Sequence, residues 1–355
     1  MPRSVLVINP GSTSTKIAVY EDGAELFQSN LPISTEESAL FGSIMAQLDH
    51  REAQLHAALE AKRYDLRRLS VVIGRGGLLR PLVGGIYRVS PAMLEDLALC
   101  RYGEHPCNLG AFLARRLASS LDIGAYIVDP VVVDELWDVA RVAGNKLFEH
   151  RSVFHALNQK AVARRWCREK GRAYEEVNLI VAHMGGGVSV GLHLKGMVVD
   201  VNNALDGCGP FSAERSGTLP QGDLVRLCFS GKYSQKEILG MITGKGGLVS
   251  LDGTNDMRIV EERISEGDAA ADLHFRAFGY WVGKAIGGQA AAARGKVDAI
   301  ILTGGIAFSA NMLTIIDNMC NFIAPIVVYP GEGELESLAQ AGNRVLSGEA
   351  TVLDY

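Results

Sequence analysis

One arrangement of residues occurs twice in this chain and constrains its fold more than any other feature. Near the N-terminus the apolar run Val5–Ile8 leads into a turn of Asn, Pro, Gly, Ser and Thr, and the segment Lys16–Tyr20 that follows has the pattern of a second strand. The same order recurs in 178–196, where an apolar run ends at His183 and the turn is Gly185–Gly187. Each copy predicts two strands joined by a turn. The recurrence predicts two copies of one α/β module.

Both turns have the composition of an anion site, because backbone N–H groups and hydroxyls can converge there. Lys16 adds a positive charge to the first turn. Two modules that face each other would form a cleft into which both turns project. An ungapped alignment pairs Val5 with Leu179, Asn9 with His183, Gly11 with Gly185 and Lys16 with Val190. The second copy then lacks the lysine, so we expect the first turn to face the charge that is transferred.

The length of 355 residues suits two domains. The apolar pattern loosens and charges gather around 142–152, so we expect an N-terminal domain over 1–149 and a C-terminal domain over 150–334. A closing helix within about 335–355 is expected to pack back on the first domain. Within the second domain the pattern predicts a helix from about Ala156 to Lys170, ended by Gly171.

Composition excludes several classes of function. The formal net charge is −5, which gives no electrostatic case for binding nucleic acid or an anionic membrane. No apolar run is long enough to cross a bilayer, and no signal-peptide pattern precedes the first turn. The six cysteines form neither a C-x-x-C pair nor a zinc spacing with histidines. We therefore expect a cytoplasmic enzyme with free cysteines.

Cations at loop positions indicate the chemistry. Arg75 ends an apolar strand between glycines, where open α/β sheets bind their ligands, and Arg215 lies in a loop with nothing apolar to bury. Together with Lys16 they are the parts that phosphoryl transfer needs. Asp129, an acid at a strand end, suits either a magnesium site or a structural cap or salt bridge. The chain has no Walker A loop and no dinucleotide fingerprint.

With these motifs the chain resembles the acetokinase family over nearly its whole length, within the superfold of acetate kinases, sugar kinases and actin. The resemblance implies two duplicated actin-like ATPase (ribonuclease H-like) domains with a nucleotide cleft between them. The motifs that carry it are Asn9-Pro-Gly-Ser-Thr-Ser-Thr-Lys16, Gly74-Arg-Gly-Gly-Leu-Leu79, His105-Pro-Cys-Asn-Leu-Gly110, Phe154-His155, His183-Met-Gly-Gly-Gly187, Glu214-Arg-Ser-Gly217, Asn255-Asp-Met-Arg258 and Leu302-Thr-Gly-Gly-Ile306.

The resemblance also implies roles for individual residues. Arg75 and Arg215 would hold the substrate carboxylate and the transferring phosphoryl group, and His155 would stabilise that group. Asn9 would contribute to both the phosphate and the metal site. ATP or ADP would be bound by Asn9, Ser12, Ser14, Lys16, His183, Gly185, Gly186, Gly187, Asp256, Arg258, Gly304 and Gly305. Catalytic assistance would come from Lys16 and Asp129, and the acids beside Mg²⁺ would be Asp129 and Glu334, with Glu332 and Glu336 as alternatives to the latter.

The implied reaction is direct in-line transfer from ATP to butyrate or a branched short-chain fatty acid, with Mg²⁺, by a homodimer or higher oligomer. A carboxylate is already an anionic nucleophile, so no general base is required, whereas a sugar kinase needs one. Acetate kinases carry His-Gly-Gly-Glu where this chain has Arg75–Leu78, and an Asn in place of Gly186. These departures favour the butyrate branch. The alternatives are an acetate or propionate kinase, or a non-catalytic nucleotide-dependent binding protein.

Overall fold

The structure, a computed structural model, describes residues 3–355 and separates them into two compact units. The first unit runs to Val133 and resumes at Gly333, and the second is Asp134–Glu332. Each unit has its own β-sheet and its own buried core. The duplicated α/β organisation predicted from the repeat is therefore present.

The elements are numbered along the whole chain. The strands are β1 (Ser4–Pro10), β2 (Ser14–Glu21), β3 (Ala24–Pro32), β4 (Val71–Arg75), β5 (Ile86–Arg88), β6 (Gly124–Val128), β7 (Asn178–Met184), β8 (Val188–Leu194), β9 (Met197–Val201), β10 (Ala299–Gly304), β11 (Ile326–Pro330) and β12 (Val352–Leu353). The helices are α1 (Thr35–Ala39), α2 (Leu48–Ala61), α3 (Pro91–Ala98), α4 (Leu109–Ser120), α5 (Asp138–Arg141), α6 (Ala156–Lys170), α7 (Gln221–Cys228), α8 (Gln235–Thr243), α9 (Gly247–Asp252), α10 (Met257–Ser265), α11 (Ala269–Ala292), α12 (Ala310–Cys320) and α13 (Glu334–Ser347). None of the helices in residues 3–355 is long and apolar enough to span a bilayer.

The two sheets share one strand plan. The order is β12-β5-β6-β4-β1-β2-β3 in the first unit and β11-β10-β7-β8-β9 in the second. In each, three consecutive strands form an antiparallel meander, β1 to β3 or β7 to β9. The first strand of each meander then pairs in parallel with a later strand, which pairs in parallel with another, giving β1-β4-β6 and β7-β10-β11. Both units are therefore ribonuclease H-like, actin-type domains.

Helices cover both faces of the central strands, which explains why those strands are continuous apolar runs. Ile8 of β1 packs into a core with α4, whereas Val5 lies on the face covered by α13, where Gly342 permits a close approach. In the second unit Ile180 of β7 faces the α11 core and Leu179 faces α6. Helix α6 has the predicted bounds and ends at Gly171, which adopts a φ of 63°.

The turn of the second copy is one residue shorter than that of the first, and this corrects the ungapped alignment. Asn9 lies opposite Lys16 across β1 and β2, and His183 lies opposite Ser189 across β7 and β8. The structural counterpart of Lys16 is therefore Ser189 and not Val190, which faces the α11 core. Because successive strand residues point to opposite faces, a shift of one residue exchanges the two faces.

The division between the units falls at Val133, whereas composition predicted a boundary at 149/150. The segment that follows Val133 belongs with the second unit because it bonds to β9: Glu135 Oε2 accepts a hydrogen bond from Val198 N at 2.6 Å. The same carboxylate pairs with Lys160 Nζ of α6 at 2.9 Å. Helix α13 returns to the first unit and begins at Glu334.

Candidate active site

Three predicted residues meet in the first unit, at the carboxyl ends of β1 and β4. Arg75 is the last residue of β4, and its Nη1 lies 3.0 Å from Glu334 Oε1 at the start of α13. The same Nη1 donates to Asn9 Oδ1 at 3.1 Å, while Asn9 Nδ2 donates to Glu334 Oε2. The side chains of Arg75 and Glu334 remain 24% and 17% exposed. A ligand can therefore reach this cluster.

The turn after Asn9 is accessible to solvent. Gly11 N donates to Ser14 O at 2.7 Å, which closes the turn. Ser12 and Lys16 are exposed, and Ser14 is half-buried. The hydroxyl and ammonium groups predicted to bind phosphate are therefore open to a ligand.

Asp129 anchors a neighbouring loop. It is 1% exposed, directly follows β6 and has a φ of 36°. Its Oδ1 accepts from Gly85 N at 2.8 Å, and its own N–H donates to Gly85 O at 2.9 Å. The carboxylate thus fixes the segment that enters β5, and its role beside a metal stays a prediction.

Two histidines are stacked in the second unit. His155, which immediately precedes α6, and His183, near the end of β7, have ring centroids 3.8 Å apart and an interplanar angle of 12°. His155 Nδ1 lies 2.9 Å from Ser189 Oγ, and His183 Nδ1 lies 2.8 Å from Asn158 Oδ1. Both rings are therefore held at Nδ1 by a polar side chain.

Arg215 lies over the glycine turn that follows His183. A Cβ on Gly187 would overlap Arg215 Nη1 and would lie 3.3 Å from His155 Cε1, so only glycine leaves room for both groups. Arg215 Nη1 donates to Ala204 O, but Arg215 Nε is buried and has no hydrogen-bond partner within the described residues. Burial lowers the pKa of Arg215 from its ordinary value, yet such a guanidinium stays charged at neutral pH.

A cavity of 690 Å³ lies beside this turn, within the second unit. This volume is within the range of small-molecule and cofactor sites. Glu214 bounds it near Gly186, and Asn255 Nδ2 donates to Glu214 Oε1 at 2.7 Å. Predicted residues that line the cavity are Gly185, Gly186, Asp256, Arg258 and Gly305.

Parts of the cavity wall come from α10 and from the turn that follows β10. Asp256 caps α10 through Arg258 N at 3.0 Å and pairs with the Arg258 side chain, which is 89% exposed. The hydrogen bonds from Arg258 lower the pKa of Asp256. Gly304 has a φ of 88°, and a Cβ there would overlap Met184 O, whereas Gly305 faces open space. Of the two glycines, only Gly305 lines the cavity, and it leaves open space there for a ligand.

Several polar residues that join these groups carry no signal in the sequence. Asn158 and Gln159 lie in the first turn of α6 and are 4% and 0% exposed, and Ser189 is fully buried in β8. Their types are ordinary for helix and strand positions, so only burial next to the histidines reveals them. Glu214 belongs to the motif Glu214–Gly217, but the sequence alone predicts no role for it.

Metal binding has limited support from protein groups alone. Across residues 3–355, no group of three or more His, Cys, Asp or Glu side chains is arranged to hold a metal ion. Mg²⁺, however, is commonly held by one or two carboxylates together with phosphate oxygens and water. Glu334 offers such a carboxylate beside Asn9.

Comparison with known sequences and structures adds an independent line of evidence. The sequence model of the acetokinase family matches residues 135–352. Butyrate kinase 2 of Clostridium acetobutylicum is 52% identical, and a probable butyrate kinase of Clostridium botulinum is 50% identical, each over 100% of both chains. The crystal structure of Porphyromonas gingivalis acetate kinase matches with a TM-score of 0.77 at 18% identity, covering 97% of this chain and 100% of that one. At that identity the structural match establishes the fold.

Proposed function

Because this chain belongs to the acetokinase family, we propose that it transfers the γ-phosphoryl group of ATP to the carboxylate of butyrate or of a branched short-chain fatty acid. Two full-length relatives at 50% identity or more bear the name butyrate kinase or probable butyrate kinase, and this supports the choice of acid. A butyrate oxygen attacks the γ-phosphorus, and the bond to the β–γ bridging oxygen breaks. ADP leaves with the electron pair, and butanoyl phosphate forms without transfer of a proton.

The observation that carries the proposal is the orphaned, buried Nε of Arg215 beside the glycine turn, as described above. A buried guanidinium N–H without a partner is costly, and a phosphoryl oxygen would satisfy it. We assign Arg215 and His155 to the transferring group, since both border Gly187. Arg75 is assigned to the substrate carboxylate, with Lys16 neutralising charge as two anions approach.

The nucleotide is assigned to the cavity bounded by Gly185, Glu214 and Gly305, whose volume suits a base and ribose. Mg²⁺ would be held by Glu334 with Asn9 nearby and with Asp129 as a further acid. When bound, it would neutralise charge on the phosphates. Assembly as a homodimer or higher oligomer remains a prediction.

The proposal is tested by a hydroxamate assay for acyl phosphate, with ATP, Mg²⁺ and a panel of acetate, propionate, butyrate and isobutyrate. We expect the highest kcat/KM with butyrate or isobutyrate. A clear preference for acetate would instead assign acetate kinase activity. We expect Arg215→Ala to lower kcat about 10²- to 10³-fold, as for the loss of one preorganised donor, while ADP binding persists. Undiminished turnover in that variant would contradict the catalytic assignment.

A further inference from the structure

Two adjacent amides on α6, Asn158 and Gln159, connect to the two stacked histidines through separate hydrogen-bond chains. What these amides contribute to catalysis rests on the proposed acyl-kinase function, because His155 acts only if phosphoryl transfer occurs there. Their geometry does not depend on it. Both side chains are almost fully buried, so each hydrogen bond has one direction that satisfies all partners.

The orientation of the Gln159 amide is fixed by a backbone carbonyl. Gln159 Nε2 lies 3.0 Å from Ser189 O, which can only accept, and 2.8 Å from Ser189 Oγ. Gln159 Oε1 must then face His193 Nε2, at 2.9 Å, and this nitrogen must carry a hydrogen. Gly191 makes this approach possible, because a Cβ there would overlap Gln159 Oε1.

At the far end of the hydrogen-bond chain that contains Gln159, His193 is kept neutral. Its Nδ1 lies 2.6 Å from the hydroxyl of Tyr174, which donates to it. Complete burial lowers the pKa of His193 well below its usual value, and the nearby charges of Lys160 and Arg164 act in the same direction. The chain is thus directed from Tyr174 through His193 and Gln159 to Ser189.

At the near end of this hydrogen-bond chain, Ser189 determines which ring nitrogen of His155 carries the hydrogen. Ser189 Oγ accepts from Gln159 Nε2 and faces the backbone N of His155 at 3.5 Å. A hydroxyl oxygen has two acceptor positions and one hydrogen. With both acceptor positions taken, the Ser189 hydrogen is left for His155 Nδ1, 2.9 Å away. Neutral His155 therefore carries its hydrogen on Nε2.

The imidazole of His183 is held as the opposite tautomer, with its hydrogen on Nδ1. Asn158 Nδ2 donates to the carbonyl of Glu332 at 2.6 Å, so its Oδ1 is the atom that faces His183 Nδ1 at 2.8 Å. An amide oxygen only accepts, and His183 must carry its hydrogen on Nδ1. Two stacked cationic rings would repel each other, so the stacking disfavours protonation of both rings at once.

We propose that Gln159 is a positioning residue that, through Ser189, holds His155 as its Nε2–H tautomer, while Asn158 holds His183 as the opposite tautomer. His155 then offers an N–H donor to a phosphoryl oxygen without being protonated, so its donor capacity does not require the imidazolium form. In the Nδ1–H tautomer, His155 would present the lone pair of Nε2 to the phosphoryl oxygen and would repel it.

The experiment is two-bond ¹H–¹⁵N spectroscopy of the full-length protein labelled with ¹⁵N-histidine, which distinguishes the two tautomers directly. Eight histidines are present, and His→Gln variants assign the signals. We expect His155 as Nε2–H and His183 as Nδ1–H in the native protein. His155 as Nδ1–H would overturn the proposal.

Gln159→Met and Ser189→Ala then test the causal step, the second being the smaller change if the first does not fold. We expect mixed tautomers at His155 and a fall in kcat of about tenfold or more, with KM for ATP changed much less. The matched control is Asn158→Leu, which should move the His183 signals and leave the His155 tautomer in place. Unchanged His155 signals in both Gln159→Met and Ser189→Ala would refute the positioning role. Native tautomers in a protein without acyl-kinase activity would refute the proposed function alone.

Discussion

The guanidinium of Arg75 is paired with the carboxylate of Glu334, 259 residues further along the chain, with Nη1 3.0 Å from Oε1. The pair joins the end of β4 to the start of α13 within the first unit. Glu334 also accepts a hydrogen bond from Asn9 near the end of β1. In the second unit the corresponding contact joins His183, near the end of β7, to Asn158 in the first turn of α6. In both units a residue from the first turn of a helix thus orients the polar residue near the end of the first strand of the meander.

The first prediction concerns Arg75. We expect Arg75→Ala to lower kcat/KM for butyrate about 10²-fold or more, because a carboxylate loses a fork-shaped cationic partner. Arg75→Lys keeps the charge but not the fork, and should recover only part of the loss. Steady-state kinetics with butyrate and with ATP varied separately provide the measurement. A defect confined to the KM for ATP would instead indicate that Arg75 binds the nucleotide and not the butyrate carboxylate.

The second prediction concerns the glycine turn. Gly187→Ala places a methyl group on Arg215 Nη1, so the guanidinium must move away from the turn. We expect a loss of kcat comparable to that of Arg215→Ala, with a native circular dichroism spectrum. Gly287→Ala, on α11 with nothing within 4 Å of the new methyl, is the matched control and should retain full activity. Native turnover by Gly187→Ala would show that Arg215 does not need its observed position.

The third prediction concerns stability at the end of β10, where Gly304 is the last residue. Gly304→Ala combines a positive φ with overlap of the new Cβ and Met184 O, a backbone atom that cannot rotate away. We expect the free energy of unfolding to fall by more than about 2 kcal/mol, measured by urea denaturation. Gly305→Ala meets nothing within 4 Å and should change it by less than about 0.5 kcal/mol. Equal stability of the two variants would contradict this explanation.

The fourth prediction is a pH dependence caused by His193. Its pKa is lowered by burial in the folded state, whereas the unfolded chain regains the usual value of 6.5. Below that pH the unfolded state binds a proton that the folded state does not. The free energy of unfolding should therefore be unaffected by this group above pH 6.5 and fall below it, by up to about 1.4 kcal/mol per pH unit.

Urea denaturation of the wild type and of His193→Gln between pH 5 and 8 measures this effect. The variant lacks the titrating ring and should lose stability less steeply as the pH falls. The flanking charges of Lys160 and Arg164 are present in both proteins and cancel in the comparison. Parallel curves for the two proteins would show that His193 does not titrate as expected.

The positions of several loops in the candidate site followed from the sequence because these loops interrupt strong strand patterns. The turns after Asn9 and His183 occur at the predicted strand ends, and Arg75 ends β4 as expected. Local propensity and apolar runs suffice for such statements. Gln159 and Ser189 could not be found this way, because their importance depends on partners 30 residues apart in sequence that share one buried space.

The sequence by itself determined that the chain is a duplicated α/β module with a strand–turn–strand unit in each copy, since buried strands and glycine turns leave a local pattern. Only the tertiary structure decided how the strands pair. Across the shorter second turn, Ser189 rather than Val190 takes the place of Lys16. Strand register depends on hydrogen bonds and packing between segments. A shift of one residue along β8 exchanges the face that packs on the α11 core for the face that carries the histidines.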